Sequence, residues 1–323
     1  MVINTIQVRR AYLPADYAAI SRVIQADWEG ASDAEELASE DATRDPHLHF
    51  IRLVALVDGV IVGTAEIGHD TWEHRAGKFK FGLWVLPEHW GQGVGKALYQ
   101  AMLDHLTTLH AIELHVDVWA THPRSVRFVE DRSFVERWRR LDQSLNFTAI
   151  TAPDETSIHP ILKTKGGPIT LRNYPQLADD PLRDEKLYAL NRSVWEDVPV
   201  ENATLRNRPL AQFVQEDLRH PDFLPDACFV AVNQLGDYVG LTFHRHNNDD
   251  ELNIETTGVQ RDYRRMGIGI WLKQHAIHYA QTHGYKRIET VNDPSNPGML
   301  TINQRLGFQV IGAQIRYVRI AKA

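Results

Sequence analysis

Arg264-Arg265-Met266-Gly267-Ile268-Gly269-Ile270 follows a strand-like run, Leu252 to Val259, and opens an amphipathic stripe of Ile268, Leu272, Ala276 and Tyr279. A strand that turns through glycines into a helix brings the unpaired amides of the helix N-terminus together, with the positive end of the helix dipole behind them. That is an anion site. Gly267 and Gly269 remove Cβ atoms that would obstruct a pyrophosphate, the arginines add bidentate donors, and Ile268 points into the core. Two other phosphate motifs fail here. A Walker loop needs G-x-x-x-x-G-K-[ST], whereas Gly95-Lys96 is followed by Ala97 and preceded by Trp90; a dinucleotide G-x-G-x-x-G has leucine, Leu98 or Leu272, at its last position.

The same turn occurs earlier as Gly91-Gln92-Gly93-Val94-Gly95-Lys96. Arg132-Ser133-Phe134 in the first half matches Leu306-Gly307-Phe308 in the second, and the offsets agree: 267 − 93 = 174 and 308 − 134 = 174. An internal repeat in constant register predicts two copies of one fold. Each copy reads as a short strand (Ile6 to Arg10; Ile169 to Leu171), then a helix opened near a proline (Pro14 to Gln25; Pro181 to Val194). A hairpin follows, Ile51 to Ile67 around Asp58-Gly59 and Cys228 to His244 around Gly236-Asp237. Next come a strand (Lys78 to Val85; Leu252 to Val259), the glycine turn and its helix, the second of these capped by Gly284. The expected domains are 1–150 and 168–323, joined by a polar, breaker-rich linker over 151–167.

Composition agrees with two ordinary cores: 323 residues, 43% hydrophobic and 24% charged. A formal charge of −7 offers no basic surface for nucleic acid and weakly favours a cationic partner. The N-terminus shows no charged region followed by an apolar core, and no stretch approaches a membrane span, so the expectation is a soluble cytoplasmic protein. One cysteine, Cys228 in an apolar run, allows no internal disulfide and reads as a buried thiol. His69 with His74, and His244 with His246, lack a third ligand and read as solvent-edge histidines rather than a metal site.

Val259, the R-R-M-G-I-G turn, Asn292, Asn303 and Leu306-Gly307-Phe308 together resemble the acetyl-CoA site of the GCN5-related N-acetyltransferase (GNAT) superfamily, whose [QR]-x-x-G-x-[GA] hallmark Arg264 to Gly269 meets in full. The resemblance covers nearly the whole chain in two copies. It implies an α/β fold of two tandem domains, each a mixed sheet splayed between its fourth and fifth strands and flanked by helices. It further implies acetyl-CoA in the splay, with Val259 against the pantetheine arm, the amides of Arg265 to Ile270 on the pyrophosphate, an amine acceptor attacking the thioester directly, and no metal. In the first copy the matching cofactor positions are Val85 and Gly91 to Lys96, with Gln92 and Val94 between the glycines.

A base must strip the acceptor amine. Strand alternation puts Thr257, Glu255 and Asn253 on the side of Val259, so Glu255 is the candidate; the positions before Val85 are Leu83, Phe81 and Phe79, and none takes a proton. The first copy also has Trp90 in place of the motif arginine, and Val118 and Val129 opposite Asn292 and Asn303, so the second copy is the better catalyst. Asn303 stands where many family members carry an acidic tyrosine. Asn292 and Asn303 can donate to CoA or to a developing anion but supply no proton, which leaves the acid open. Trp28-Glu29 and Trp195-Glu196-Asp197 pair an aromatic with acid in the loop that contacts acceptors in this superfamily. The reading is an N-acyltransferase acting on a primary amine, with a non-catalytic acyl-CoA sensor as rival. Two copies in one chain also suit a monomer with an internal pseudo-dimer.

Overall fold

The computed structural model describes residues 5–27, 31–69, 76–147, 159, 161–198 and 209–320. The chain forms two compact units: Met1–Val118 with His122–Trp138 and Ile315–Ala323, and Trp119–Thr121 with Arg139–Gln314. Trp28, Glu29 and His74, singled out above, lie outside the described residues.

Unit 1 contains β1 (Ile6–Arg10), α1 (Tyr17–Gln25), α2 (Ala34–Thr43), β2 (Phe50–Val57), β3 (Val60–His69), β4 (Lys78–Val85), α3 (Val94–Thr108), β5 (Glu113–Trp119) and α4 (Pro123–Glu130). β1 to β4 are antiparallel neighbours, and β4 then pairs β5 in parallel. The hairpin turn is Asp58-Gly59, both at positive φ (51° and 81°), the conformation a two-residue turn between right-twisted strands needs. Beside β5 stands the C-terminal half of β13 (Gln309–Ile320), where Arg316 forks onto Asp117 at 2.7 and 2.8 Å. α1 starts later than its proline suggested, because Asp16 accepts from Tyr12 N–H and from Arg9 and holds the intervening turn out of the helix.

Unit 2 repeats the plan. It takes in the second half of β6 (Val135–Asn146), then β7 (Ile161–Thr164), β8 (Gly167–Asn173), α5 (Arg183–Trp195), α6 (Leu210–Phe213), β9 (Phe229–Val232), β10 (Tyr238–Asn248), β11 (Glu251–Val259), α7 (Ile268–Thr282), β12 (Arg287–Asn292) and α8 (Pro297–Leu306). The strand order is β6-β12-β11-β10-β9-β8-β7. Only β11 and β12 run parallel; β12 to β6 and the remaining neighbours are antiparallel. The end of the expected linker is ordered sheet instead: Ile161–Thr164 pair with Gly167–Thr170, and the glycines taken as breakers form the turn, where Thr164 Oγ1 donates to the Gly167 carbonyl.

The apolar stripe of α7 packs as its period requires. Ile268, Trp271 and Leu272 bury against Ile169, Ala231 and Val239, and Ala276 and Ile277 against Leu252, Ile254 and Ile288. α5 covers the opposite face, with Leu187, Leu190 and Val194 against Leu241 and Phe243. Burying such side chains contributes roughly 1.5–3 kcal/mol each. Cys228 lies inside this second layer, and burial pushes its thiol up to about 12.

Candidate functional site

The turn between β11 and α7 is built from backbone. Arg265 (φ 61°) and Gly267 (φ 87°) both take the left-handed conformation, and the first helical hydrogen bond runs from Trp271 N–H to the Gly267 carbonyl at 3.1 Å. The amides of Ile268, Gly269 and Ile270 precede that bond and have no acceptor within the helix. A Cβ on Gly267 would meet nothing within 4 Å, so the space above the turn is open and glycine is required there by the backbone angle. Gly269 differs, since its Cβ would press on Ile302 at 3.3 Å; that glycine lets α8 approach. Met266 is partly buried against the Ile268 cluster.

Arg264 turns back toward its own strand. Its Nε–H donates to the Val259 carbonyl at 3.0 Å, while its other end joins Arg261 on the carboxylate of Asp197. The two guanidiniums, Arg261 foremost, hold Asp197 well below the usual carboxylate range. Asp197 was expected to meet an amine. Both its oxygens are instead engaged in fastening the arginines of the turn.

Beyond the turn the sheet opens. β11 and β12 pair from Glu251↔Arg287 to Ile254↔Thr290 and no further, so Glu255 to Val259 diverge from β12. β4 and β5 part in the same way after Lys80↔His115. In unit 2 the parting leaves a cavity of about 110 Å³, lined among others by Trp195, Glu255, Thr257, Lys273, Asn292 and Asp293. Trp195 stands at it, whereas Glu196 is exposed and absent from its wall.

Glu255 occupies an unexpected place. In the pairing of β10 with β11, Phe243 faces Thr256 and His244 faces Ile254, so Glu255 is skipped and bulges from the strand. A bulge inserts one residue and reverses the alternation beyond it. Thr257 and Val259 therefore share the α7 side with Ile254 and Leu252, while Glu255 is exposed and accepts from Asn253 Nδ2 at 2.6 Å. Uniform alternation therefore does not hold along β11, and Glu255 leaves the side of Val259, although it borders the cavity. β4 pairs β3 without interruption and has no counterpart of this residue.

The asparagines are engaged inward. Asn303 is fully buried and donates to Gln143 Oε1 at 2.7 Å, and Asn292 donates to the same oxygen at 3.1 Å. Both were expected as donors to CoA or to a developing anion; Asn303, enclosed, has no surface for it. Gln143 was missed, since it belongs to β6 and nothing near either asparagine in the sequence announces it. Lys273 was missed too, although its signal was present: a lysine beside Leu272 on the edge of the apolar stripe. His244 is fully buried rather than at a solvent edge, with Nδ1 2.6 Å from the Ala227 carbonyl and Nε2 3.3 Å from Thr242 Oγ1.

A second recess on the open face adjoins the first. Asp142, Glu251 and Glu289 line it with Trp119, Asn247 and Asn253. Burial raises the carboxyls of Asp142 and Glu289, the latter further through Glu251, while Arg287 pairs with Glu251. In unit 1 the corresponding stretch of β4 carries Lys78 and Lys80, bound to Glu113 and Asp117. Gly91 (φ 76°) and Gly93 (φ 93°) reproduce the two left-handed residues of the turn; Val118 and Val129 are buried apolar side chains, and Tyr99, the counterpart of Lys273, accepts from Arg319 at 2.6 Å. Among the described residues no group of three His, Cys, Asp or Glu could hold a metal ion, and no helix is long and apolar enough to cross a membrane.

Parallel strands separate in front of a helix N-terminus whose first amides are free of helical partners, an arrangement open to an anionic ligand. The model of the Acetyltransferase (GNAT) family matches this chain twice, over residues 16–134 and 187–308, and the chain belongs to that family as a tandem member. Among solved structures it is similar to a GCN5-related N-acetyltransferase from Sphaerobacter thermophilus, at 18% identity and TM-score 0.69, covering 98% of this chain and 95% of that one. A tandem GNAT protein from the clavulanic acid biosynthesis pathway aligns with 15% identity, TM-score 0.70 and 99% of both chains. A glucosamine N-acetyltransferase region of a fungal multi-domain β-N-acetylglucosaminidase gives 16% and 0.67, over 97% of this chain and 38% of that one. At these identities the likeness is one of fold.

Proposed function

We propose that unit 2 transfers an acetyl or similar short acyl group from acyl-CoA to a primary amine of a small molecule or peptide. The observation that carries the reading is the cavity at the β11–β12 parting, walled by Lys273 of the helix that the glycine turn opens and adjoined by a carboxylate-lined recess. The amides of Ile268 to Ile270 and the nearby arginines take the pyrophosphate, and Val259 borders the arm. Asp142, Glu251 and Glu289 draw an ammonium toward the thioester, and Glu255, bulged to the rim, takes its proton so that the neutral nitrogen attacks. The fold resemblance supports CoA as acyl carrier; the acid-lined recess supports an amine as acceptor.

The test is CoA release on incubating acetyl-CoA with a panel of mono-, di- and polyamines and amino-terminal peptides. Wild type should acylate at least one. Gly267→Asp should lose CoA binding, and Glu255→Gln should keep binding while kcat falls about 100-fold. Persistent CoA binding with no amine ever acylated would sink the transferase reading in favour of a sensor.

A further inference from the structure

Lys273 sits five residues into α7, about 7.5 Å along the helix from the anion turn. It is 1% exposed, yet it lines the cavity where β11 and β12 separate. Among the described residues its Nζ has no hydrogen-bond or carboxylate partner, and it stands over the face of the Phe308 ring at 5.1 Å. An ammonium buried without a counter-ion is costly, and methionine or leucine would fill the same space at no such cost. The groups around it do not neutralise it. Glu255 of β11 faces outward onto Asn253, and Asp293, after β12, is engaged by Ser295. His244 of β10 is neutral, held down to about 3 by burial foremost and also by the charge of Lys273. β9 carries no charge, Arg305 of α8 is exposed, and His275 on the same helix bonds the His159 carbonyl.

The cavity thus has two sides of opposite character. Carboxylates occupy the open face, and Lys273 is the one cation in its described wall, on the side of the helix whose N-terminus forms the turn. Asn303, at the position of the acid in the resemblance, is enclosed and has no proton to give.

We propose that Lys273 is the general acid of the reaction, its ammonium facing the sulfur of the bound thioester. This rests on the transferase reading above. The acceptor nitrogen forms the N–C bond, the C–S bond breaks with its electron pair passing to sulfur, and Nζ gives that sulfur a proton, yielding free CoA thiol and neutral lysine. The proton lost by the acceptor goes to Glu255, and solvent in the cavity recharges Lys273. Burial pushes Lys273 down to about 7, so at neutral pH it exists in both forms, and transfer to a thiolate, whose ordinary pKa is about 8.5, is downhill. The acid form is lost as pH rises through about 7.

The experiment compares wild type, Lys273→Met and Lys273→Arg. Wild-type kcat should fall on the alkaline side of about pH 7. Lys273→Met, similar in volume and free of the buried charge, should lose about 100-fold in kcat with the Kd for CoA within threefold. Lys273→Arg should restore part of kcat, because the charge remains, and should lack the alkaline limb, because arginine does not deprotonate in this range. Lys273→Met with kcat within threefold of wild type and the same alkaline limb overturns the proposal while leaving the transferase reading intact. A wild type that binds CoA and acylates no amine overturns both.

Discussion

Trp90 and Arg264 make one and the same hydrogen bond. Trp90 Nε1–H donates to the Val85 carbonyl at 2.7 Å, and Arg264 Nε–H donates to the Val259 carbonyl at 3.0 Å, with donor and acceptor each displaced by 174 positions between the units. The first position of the motif therefore has a structural duty, tying the turn to the last residue of its strand, which any side chain with a suitably placed N–H performs. A tryptophan there is not by itself a sign of decay.

Trp90→Phe should cost about 1 kcal/mol, the net worth of one hydrogen bond, in urea unfolding of the whole chain. Trp90→Arg should stay within about 0.5 kcal/mol of wild type, because the donor is restored. In the mirror variant, Arg264→Trp, the bond to the Val259 carbonyl should survive and the ion pair with Asp197 be lost, while the Kd for CoA rises several-fold, since the charge beside the anion turn is gone. Equal losses for Phe and Arg at position 90 would remove the shared role.

Gly267 and Gly93 begin their helices at φ 87° and 93°. Alanine at either should cost roughly 1–2 kcal/mol for the left-handed backbone. Calorimetric titration separates them: wild type is expected to bind one CoA per chain, Gly267→Ala to lose it and Gly93→Ala to retain it. Retention by Gly267→Ala and loss by Gly93→Ala would assign the bound cofactor to unit 1.

The strands, the glycine turns and the helices they open were legible because each follows from a local period or a local angle. The repeat register was legible for the same reason, but it also concealed an error. Gly267 and Phe308 lie after Glu255, and Gly93 and Phe134 after the matching point of the first copy, so their constant offset is blind to one residue inserted before them. The sheet pairing reveals it: Phe79 opposes Leu114 and Leu252 opposes Ile288, so the offset of β11 from β4 there is 252 − 79 = 173 while that of β12 from β5 is 288 − 114 = 174. Partners distant in sequence were illegible altogether. Nothing local to Asp197 points to arginines 64 and 67 residues away, and nothing local to Asn303 points to a glutamine 160 residues earlier.

Asp197 should make stability depend on acid. Its pKa is depressed in the folded state, so its contribution is present above the unfolded carboxylate value near 3.9 and is lost as pH falls through the folded value. Asp197→Asn should melt lower than wild type at pH 7, and the two melting temperatures should converge as the buffer is taken well below pH 4. A gap that stays constant down to strong acid would mean that the ion pairs with Arg261 and Arg264 contribute nothing measurable to the fold.

Gln143 should matter more to stability than either asparagine it serves. Its Oε1 accepts from Asn303 and Asn292 together, and Asn303 Oδ1 is already a buried acceptor without a partner. Removing the shared acceptor leaves two donors stranded, one of them fully enclosed, at about 1–3 kcal/mol for each buried group left unpaired. Removing Asn303 instead deletes one donor and the unpaired acceptor with it, and leaves Gln143 bonded to Asn292. Gln143→Leu should therefore lose at least about 2 kcal/mol in urea unfolding, and Asn303→Leu less than about 1. The double variant Gln143→Leu/Asn303→Leu should recover part of the first loss, since the enclosed donor goes too. A double variant less stable than the sum of the two single losses would show that packing, not hydrogen bonding, sets the energetics beneath the cavity floor.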